Sequence, residues 1–190
     1  MKVQVIIGST RKNRFGDKPA NWICDLATQK NGIEAELLDL RDYPMPFFND
    51  SASPASSKEG PEDDSAKKWV EKISEADAYI IVTPEYNHGY PAVLKNALDY
   101  AYFEWNKKPV GFVSYGNTGG ARAVQQLRQV VIELGMAPIR RSVLIRDPWD
   151  LKDKNGELKE GALDPYNETA DKFLEQLMWW GSALKQTREK

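Results

Sequence analysis

The sequence predicts an α/β fold in which five parallel strands form one sheet with helices on both faces. Three observations predict it. Strand-like and helix-like segments alternate along the chain, which argues for parallel strands joined by right-handed helical crossovers. One segment, Ala78-Tyr79-Ile80-Ile81-Val82, is apolar throughout, as a central strand buried on both faces must be. The least ordinary residues cluster directly after the first, third and fourth strands, where open parallel sheets bind their ligands.

Taken in order, Val3-Gln4-Val5-Ile6-Ile7 is β-branched and nearly continuous, and reads as the first strand. A polar loop, Gly8 to Gly16, follows. Asp17 is expected to cap the next helix, with Pro19 tolerated in its first turn and Trp22, Ile23, Leu26 and Ala27 on one apolar face. Asn31-Gly32 ends that helix. Ile33 to Leu40 alternates glutamate with apolar residues, which places the second strand near a sheet edge. Residues 41–61 hold four prolines and several serines and read as a long loop. Glu62-Asp63-Asp64 sets acid at the start of the second helix, where the helix dipole favours it, and Trp69, Val70 and Ile73 form its inward face.

After the central strand, Pro91 starts a helix with Leu94, Leu98 and Ala101 on one side. Lys108 to Ser114 is the fourth strand. Gly119 or Gly120 opens a helix through Val124, Leu127, Val131 and Leu134 that Gly135 stops. Pro138 to Ile145 holds the fifth strand, Asp150 to Asp164 a charged loop turning at Asn155-Gly156, and Tyr166 to about Arg188 the last helix. Five strands suit the order 2-1-3-4-5. That order reverses direction between strands 1 and 3 and brings the loops after strands 1, 3 and 4 to one crevice.

Bulk properties narrow the function classes. A chain of 190 residues with 41% hydrophobic and 28% charged residues suits one domain, residues 1–190. A net charge of −2 lacks the basic excess of a nucleic-acid binder. No apolar run approaches the roughly 20 residues needed to span a bilayer, and Val3–Ile7 is too short for a signal sequence. The one cysteine, Cys24, flanked by Ile23 and Leu26, reads as a small buried apolar residue, and a reducing cytoplasm is expected. No second histidine joins His88, and no cysteine pair is present, so a structural zinc site is not expected. Neither G-x-x-x-x-G-K-[ST] nor G-x-G-x-x-G follows the first strand, which weighs against an ATPase and against a dinucleotide fold with resident NAD. No G-x-S-x-G is present, which removes the commonest hydrolase signal of α/β folds.

The three crevice loops carry the chemistry. In Gly8-Ser9-Thr10-Arg11-Lys12-Asn13-Arg14-Phe15-Gly16, hydroxyls and two guanidinium forks precede a helix N-terminus, a set suited to a phosphate. In Thr83-Pro84-Glu85-Tyr86-Asn87-His88-Gly89-Tyr90-Pro91, Tyr86 offers a stacking face and the amides around Glu85 to Asn87 offer donors to ring heteroatoms. Ser114-Tyr115-Gly116-Asn117-Thr118-Gly119-Gly120 carries glycines that let backbone amides approach a flat ligand. His88 reads as a solvated loop histidine, Lys95 and Asp99 as a surface pair, and Trp179-Trp180 as core or oligomer contact.

These motifs resemble the NADPH-dependent FMN reductases, a family of flavin, quinone, azo-dye and chromate reductases. Gly8-Ser9-Thr10-Arg11 with Arg14 and Gly16 resembles the family's phosphate loop. Thr83-Pro84-Glu85-Tyr86-Asn87 leading into Pro91-Ala92-Val93-Leu94-Lys95-Asn96-Ala97-Leu98-Asp99 resembles its most specific signature. Ser114-Tyr115-Gly116 with Gly119-Gly120 resembles its third contact. The resemblance implies a flavodoxin-like three-layer sandwich, FMN as cofactor and NADPH or NADH as donor. It implies that Ser9, Arg11 and Arg14 bind the phosphate while Phe15 and Gly16 close that end. Pro84, Glu85, Tyr86 and Asn87 then line the isoalloxazine, and Ser114, Tyr115 and Gly116 hold its pyrimidine edge. Other branches have Ser and Asn after the first arginine, where this chain has Arg14 and Gly16. The family also implies a homodimer or homotetramer.

No side-chain nucleophile or catalytic acid–base residue is expected, because the flavin carries the chemistry. Hydride is expected to pass from NAD(P)H through FMN to a small acceptor such as a quinone, flavin, azo compound or chromate. Two arginine–phosphate bonds would favour FMN over riboflavin by roughly 10²–10⁴. The competing reading is a flavodoxin-type electron carrier without turnover of its own; such carriers are usually strongly acidic, with threonine-built phosphate loops. A flavin-free binding module on the same fold is a third.

Overall fold

The strands are β1 (Lys2–Ile7), β2 (Glu34–Asp39), β3 (Ala78–Pro84), β4 (Pro109–Gly116) and β5 (Ala137–Arg146). Between and after them run α1 (Asp17–Thr28), α2 (Asp64–Ser74), α3 (Ala92–Asp99), α4 (Ala121–Glu133) and α5 (Asn167–Arg188). This computed structural model describes residues 1–57 and 59–190. All neighbouring strands are parallel, in the order β2-β1-β3-β4-β5. The expected topology is the one observed, and it is flavodoxin-like. The expected loop at 41–61 includes Lys58, which lies outside the described residues.

Period-2 alternation in β3 explains the layers. Ile80 and Val82 face a core built with Ile23 and Ala27 of α1 and Phe173, Leu174 and Leu177 of α5. Tyr79 and Ile81 face the opposite core, with Trp69 of α2, Leu94 and Leu98 of α3, and Leu127 of α4. Every β3 residue is buried, as the apolar run requires. Trp69 and Trp105 are fully buried, and their indole N–H groups donate to the carbonyls of Ala97 at 2.8 Å and Leu98 at 3.2 Å. Those bonds spare the core an unpaired donor. α5 lies so close to the sheet that a Cβ on Gly111 would fall 2.4 Å from the Phe173 ring.

Several element ends differ from expectation. Asp17 does not cap α1: Gly16 takes the N-cap position, and Asp17 lies inside the first turn with its carboxylate turned to Arg14. β4 runs on to Gly116 and β5 to Arg146, because their register pairing continues past the apolar stretch. The proline-rich loop is tied to α3 through buried Asn96, which donates to the Pro46 carbonyl at 2.7 Å and accepts from the Phe48 amide at 2.8 Å. Trp179 and Trp180 are 66% and 38% exposed, so they are not core. Cys24 is buried, and burial pushes its thiol above the usual value.

Candidate active site

The loops after β1, β3 and β4 meet at the carboxyl end of the sheet and are bonded to one another. Gly8 leaves β1 with its amide on the Val82 carbonyl at 2.8 Å. Ser9 is buried, and its hydroxyl lies 2.8 Å from the Tyr86 hydroxyl of the second loop. The Glu85 amide donates to the Tyr115 carbonyl at 3.1 Å, joining the second loop to the third. Tyr115 returns to the first loop: its ring meets Phe15 edge-on at 5.2 Å, and a Cβ on Gly16 would come 2.7 Å from its hydroxyl. Burial pushes the Tyr115 phenol well above its usual value, so it stays a neutral hydroxyl at ordinary pH.

The residues of the first loop separate into two kinds. Thr10, Arg11, Lys12 and Asn13 are exposed. Arg14 is only 6% exposed and is spent inside the protein. Its Nε donates to Asp17 at 2.6 Å, and Nη1 to Asp39 at 2.8 Å and to the Ser9 carbonyl. Its Nη2 pairs with the second Asp39 oxygen and with Asp17. Arg14, expected as a phosphate ligand, thus directs its guanidinium to the protein's own carboxylates and to a loop carbonyl.

The second loop is a tight hairpin. Tyr86 and Gly89 exchange both backbone bonds, at 2.8 and 2.9 Å, across Asn87 and His88 with φ of 48° and 70°. Two positive φ values in succession define a type I′ turn, which asparagine tolerates well. His88 stands exposed at its tip, as expected of a solvated loop residue. Of the amides expected to serve ring heteroatoms, those of Glu85 and Tyr86 donate to the Tyr115 and Gly89 carbonyls. The Glu85 carboxylate accepts from the Arg122 backbone at 3.0 Å and its Nε at 2.7 Å. It thereby fills the N-terminus of α4, whose N-cap Gly120 has no side chain to do so. Pro84 ends β3 and is buried; Asn87 is exposed.

Two expected contacts of the third loop are engaged within the protein, one in the loop itself and one against the first loop. The Ser114 hydroxyl, fully buried, donates to the Gly119 carbonyl at 2.6 Å. The Tyr115 side chain lies against Phe15 and Gly16. Gly119 and Gly120 adopt φ of 71° and 76°, and a Cβ on Gly120 would meet that of Ser114 at 2.7 Å, so the turn requires glycine on both counts. Gly116 accepts through its carbonyl from Gly119 at 3.0 Å and Asp147 at 3.1 Å. Among the described residues, the amides of Asn117 and Thr118 have no acceptor.

Asp39, Arg41 and Arg122 were missed by sequence reasoning. Asp39 ends β2 beside β1, so strand order could have pointed to it. Arg41 donates to the Arg11 carbonyl at 2.6 Å. Among the described residues, no cluster of His, Cys, Asp and Glu could hold a metal ion, and no helix is long and apolar enough to cross a membrane.

The model of the NADPH-dependent FMN reductase family matches residues 1–150. An NAD(P)H-dependent FMN reductase of Schizosaccharomyces pombe is 35% identical over 166 residues, covering 86% of this chain and 79% of that protein. An FMN-dependent NADPH-azoreductase of Staphylococcus aureus is 31% identical over 160 residues, 82% of each chain. Among solved structures, the flavoenzyme NAD(P)H:(acceptor) oxidoreductase FerB of Paracoccus denitrificans shares the fold, with a TM-score of 0.71 at 24% identity over 93% of this chain and 97% of that one.

Proposed function

This chain belongs to the NADPH-dependent FMN reductase family, and from that premise we propose how its residues hold the cofactor and serve the reaction. It is an FMN-dependent NAD(P)H oxidoreductase. The observation that carries the site reading is the mutual bonding of three loops at one end of the sheet, with exposed donors on their outer side.

Ser9 and Arg11 hold the phosphate, at the N-terminus of α1, whose free amides favour an anion. Phe15, Gly16 and Tyr115 wall that end. Pro84, Tyr86 and Asn87 line the isoalloxazine, with Glu85 fixing their loop through Arg122. Gly116 and the Asn117 and Thr118 amides meet the pyrimidine edge, while Ser114 shapes the turn that presents them. One arginine instead of two lowers the expected preference for FMN over riboflavin to about 10- to 100-fold.

FMN, when bound, supplies hydride acceptance and release. The protein supplies position and a wall that excludes water from one face. The Glu85 carboxylate of the second loop is engaged by Arg122 and is not offered as a proton carrier. The acceptor is a small molecule of the quinone, flavin, azo or chromate kind. Residues 1–190 act as a single domain, in the cytoplasm, as a homodimer or homotetramer. The cytoplasmic setting rests on the lone buried Cys24 and the assembly on the family resemblance.

Anaerobic stopped-flow mixing of the FMN-loaded protein with NADH and with NADPH tests the reading. Flavin absorbance near its visible maximum should bleach with at least one of them, and a quinone should restore it with turnover. Bound flavin that neither donor bleaches would instead favour the electron-carrier reading.

A further inference from the structure

We propose that Arg14 is a positioning residue that, with Arg41, aims two backbone amides of the first loop at the FMN phosphate. The proposal rests on the phosphate reading above. Arg14 resembles Arg11 in sequence but not in circumstance. Its guanidinium is buried between Asp39 at the end of β2 and Asp17 in the first turn of α1, and it also takes the Ser9 carbonyl. Arg41, two residues beyond Asp39, takes the Arg11 carbonyl at 2.6 Å, while its own amide donates to Asp39 at 2.9 Å. Two carbonyls of the loop are thus pulled toward the end of β2 by two arginines organised on one carboxylate.

Peptide planarity converts that pull into an orientation. In a trans peptide the C=O and the following N–H point in opposite directions. Fixing the Ser9 carbonyl therefore turns the Thr10 amide away from Asp39, and fixing the Arg11 carbonyl does the same for the Lys12 amide. Among the described residues neither amide has an acceptor. Backbone amides turned to one side of a loop can together bind an anion. Charge is compatible with the same assignment. Asp17 and Asp39 offset Arg14 and Arg41, so the cluster carries no net positive charge with which to attract a phosphate itself.

The two roles for Arg14 make opposite forecasts for Asp39→Asn. As a ligand, Arg14 would be released by that change and a repelling carboxylate removed, so FMN would bind more tightly. As a brace, it would lose its anchor, so FMN would bind more weakly. The experiment titrates the full chain, freed of flavin by dialysis, with FMN and with riboflavin, following quenching of flavin fluorescence. Asp39→Asn and Arg14→Met should each weaken FMN on the order of tenfold and leave riboflavin within about twofold. The double variant should be no worse than the poorer single one, because both break one strut. Arg41→Met, an exposed substitution, should shift FMN in the same direction even if Arg14→Met does not fold. Tighter FMN binding by Asp39→Asn, or equal losses for FMN and riboflavin, overturns the proposal. Equal affinity of the unaltered protein for the two flavins instead overturns the phosphate reading, and the proposal with it.

Discussion

The hydroxyls of Ser9 and Tyr86 stand 2.8 Å apart, so the loop after β1 and the loop after β3 are joined by a side-chain bond at the crevice. Ser9 is 1% exposed, and among the described residues the other hydrogen-bond partner of its hydroxyl is the Arg11 amide, at 3.4 Å. The Tyr86 hydroxyl is therefore the main partner of a buried serine.

Tyr86→Phe keeps the aromatic face and removes only that bond. A lost neutral hydrogen bond is worth about 0.5–1.5 kcal/mol. FMN affinity should fall by a factor of roughly 2–10. In a Ser9→Ala background the same change should cost nothing further, since the partner is already gone. Fluorescence titration of the four proteins completes the cycle; strictly additive losses would mean that the two loops bind FMN independently.

Gly16 is constrained by space, not by its backbone. It lies at φ −54°, ψ −26°, where alanine is at ease. Yet a Cβ there would come within 2.7 Å of the Tyr115 hydroxyl. Gly16→Ala should cost about 1–3 kcal/mol through overpacking, seen as a fall of several degrees in Tm. Tyr115→Phe deletes the offending oxygen and should recover most of that loss in the double variant. If the double variant melts no higher than Gly16→Ala alone, the hydroxyl is not the source of the strain.

The sheet was legible because hydrophobic periodicity is a local property that burial imposes on each segment. Val3–Ile7 and Ala78–Val82 carry it openly, and β-α alternation then leaves few topologies. The position of the crevice followed from strand order. The roles of individual residues did not, because they depend on partners far along the chain. Arg11 and Arg14 look equivalent in sequence, yet Asp39, brought alongside by β2–β1 pairing, takes only Arg14. Glu85 looks like a ring contact until α4 brings Arg122 to it. Ser114 looks like a ligand donor until the Gly119-Gly120 turn folds a carbonyl onto its hydroxyl.

At the opposite end of the sheet, Asp77 fastens the last helix to the first strand. Its carboxylate accepts from the Lys2 amide at 2.9 Å and from Lys185 at 2.7 Å, and it pairs with Arg188 at 3.2 Å. Burial alone would raise the Asp77 carboxyl, but Lys185, the Lys2 amide and Arg188 together hold it below its ordinary value of 3.8. A carboxyl whose folded value is depressed stabilises the fold above its unfolded value and loses that contribution as pH falls through the folded one. Asp77→Asn should therefore lower stability at pH 7 by about 1–2 kcal/mol, more than an exposed pair and less than a fully buried one. Below about pH 4 the difference should shrink as the native carboxyl takes up its proton. Urea unfolding of both proteins at several pH values measures it. A gap that stayed constant from pH 7 to about pH 3 would mean that the Asp77 charge contributes nothing and that its shape alone holds α5 in place.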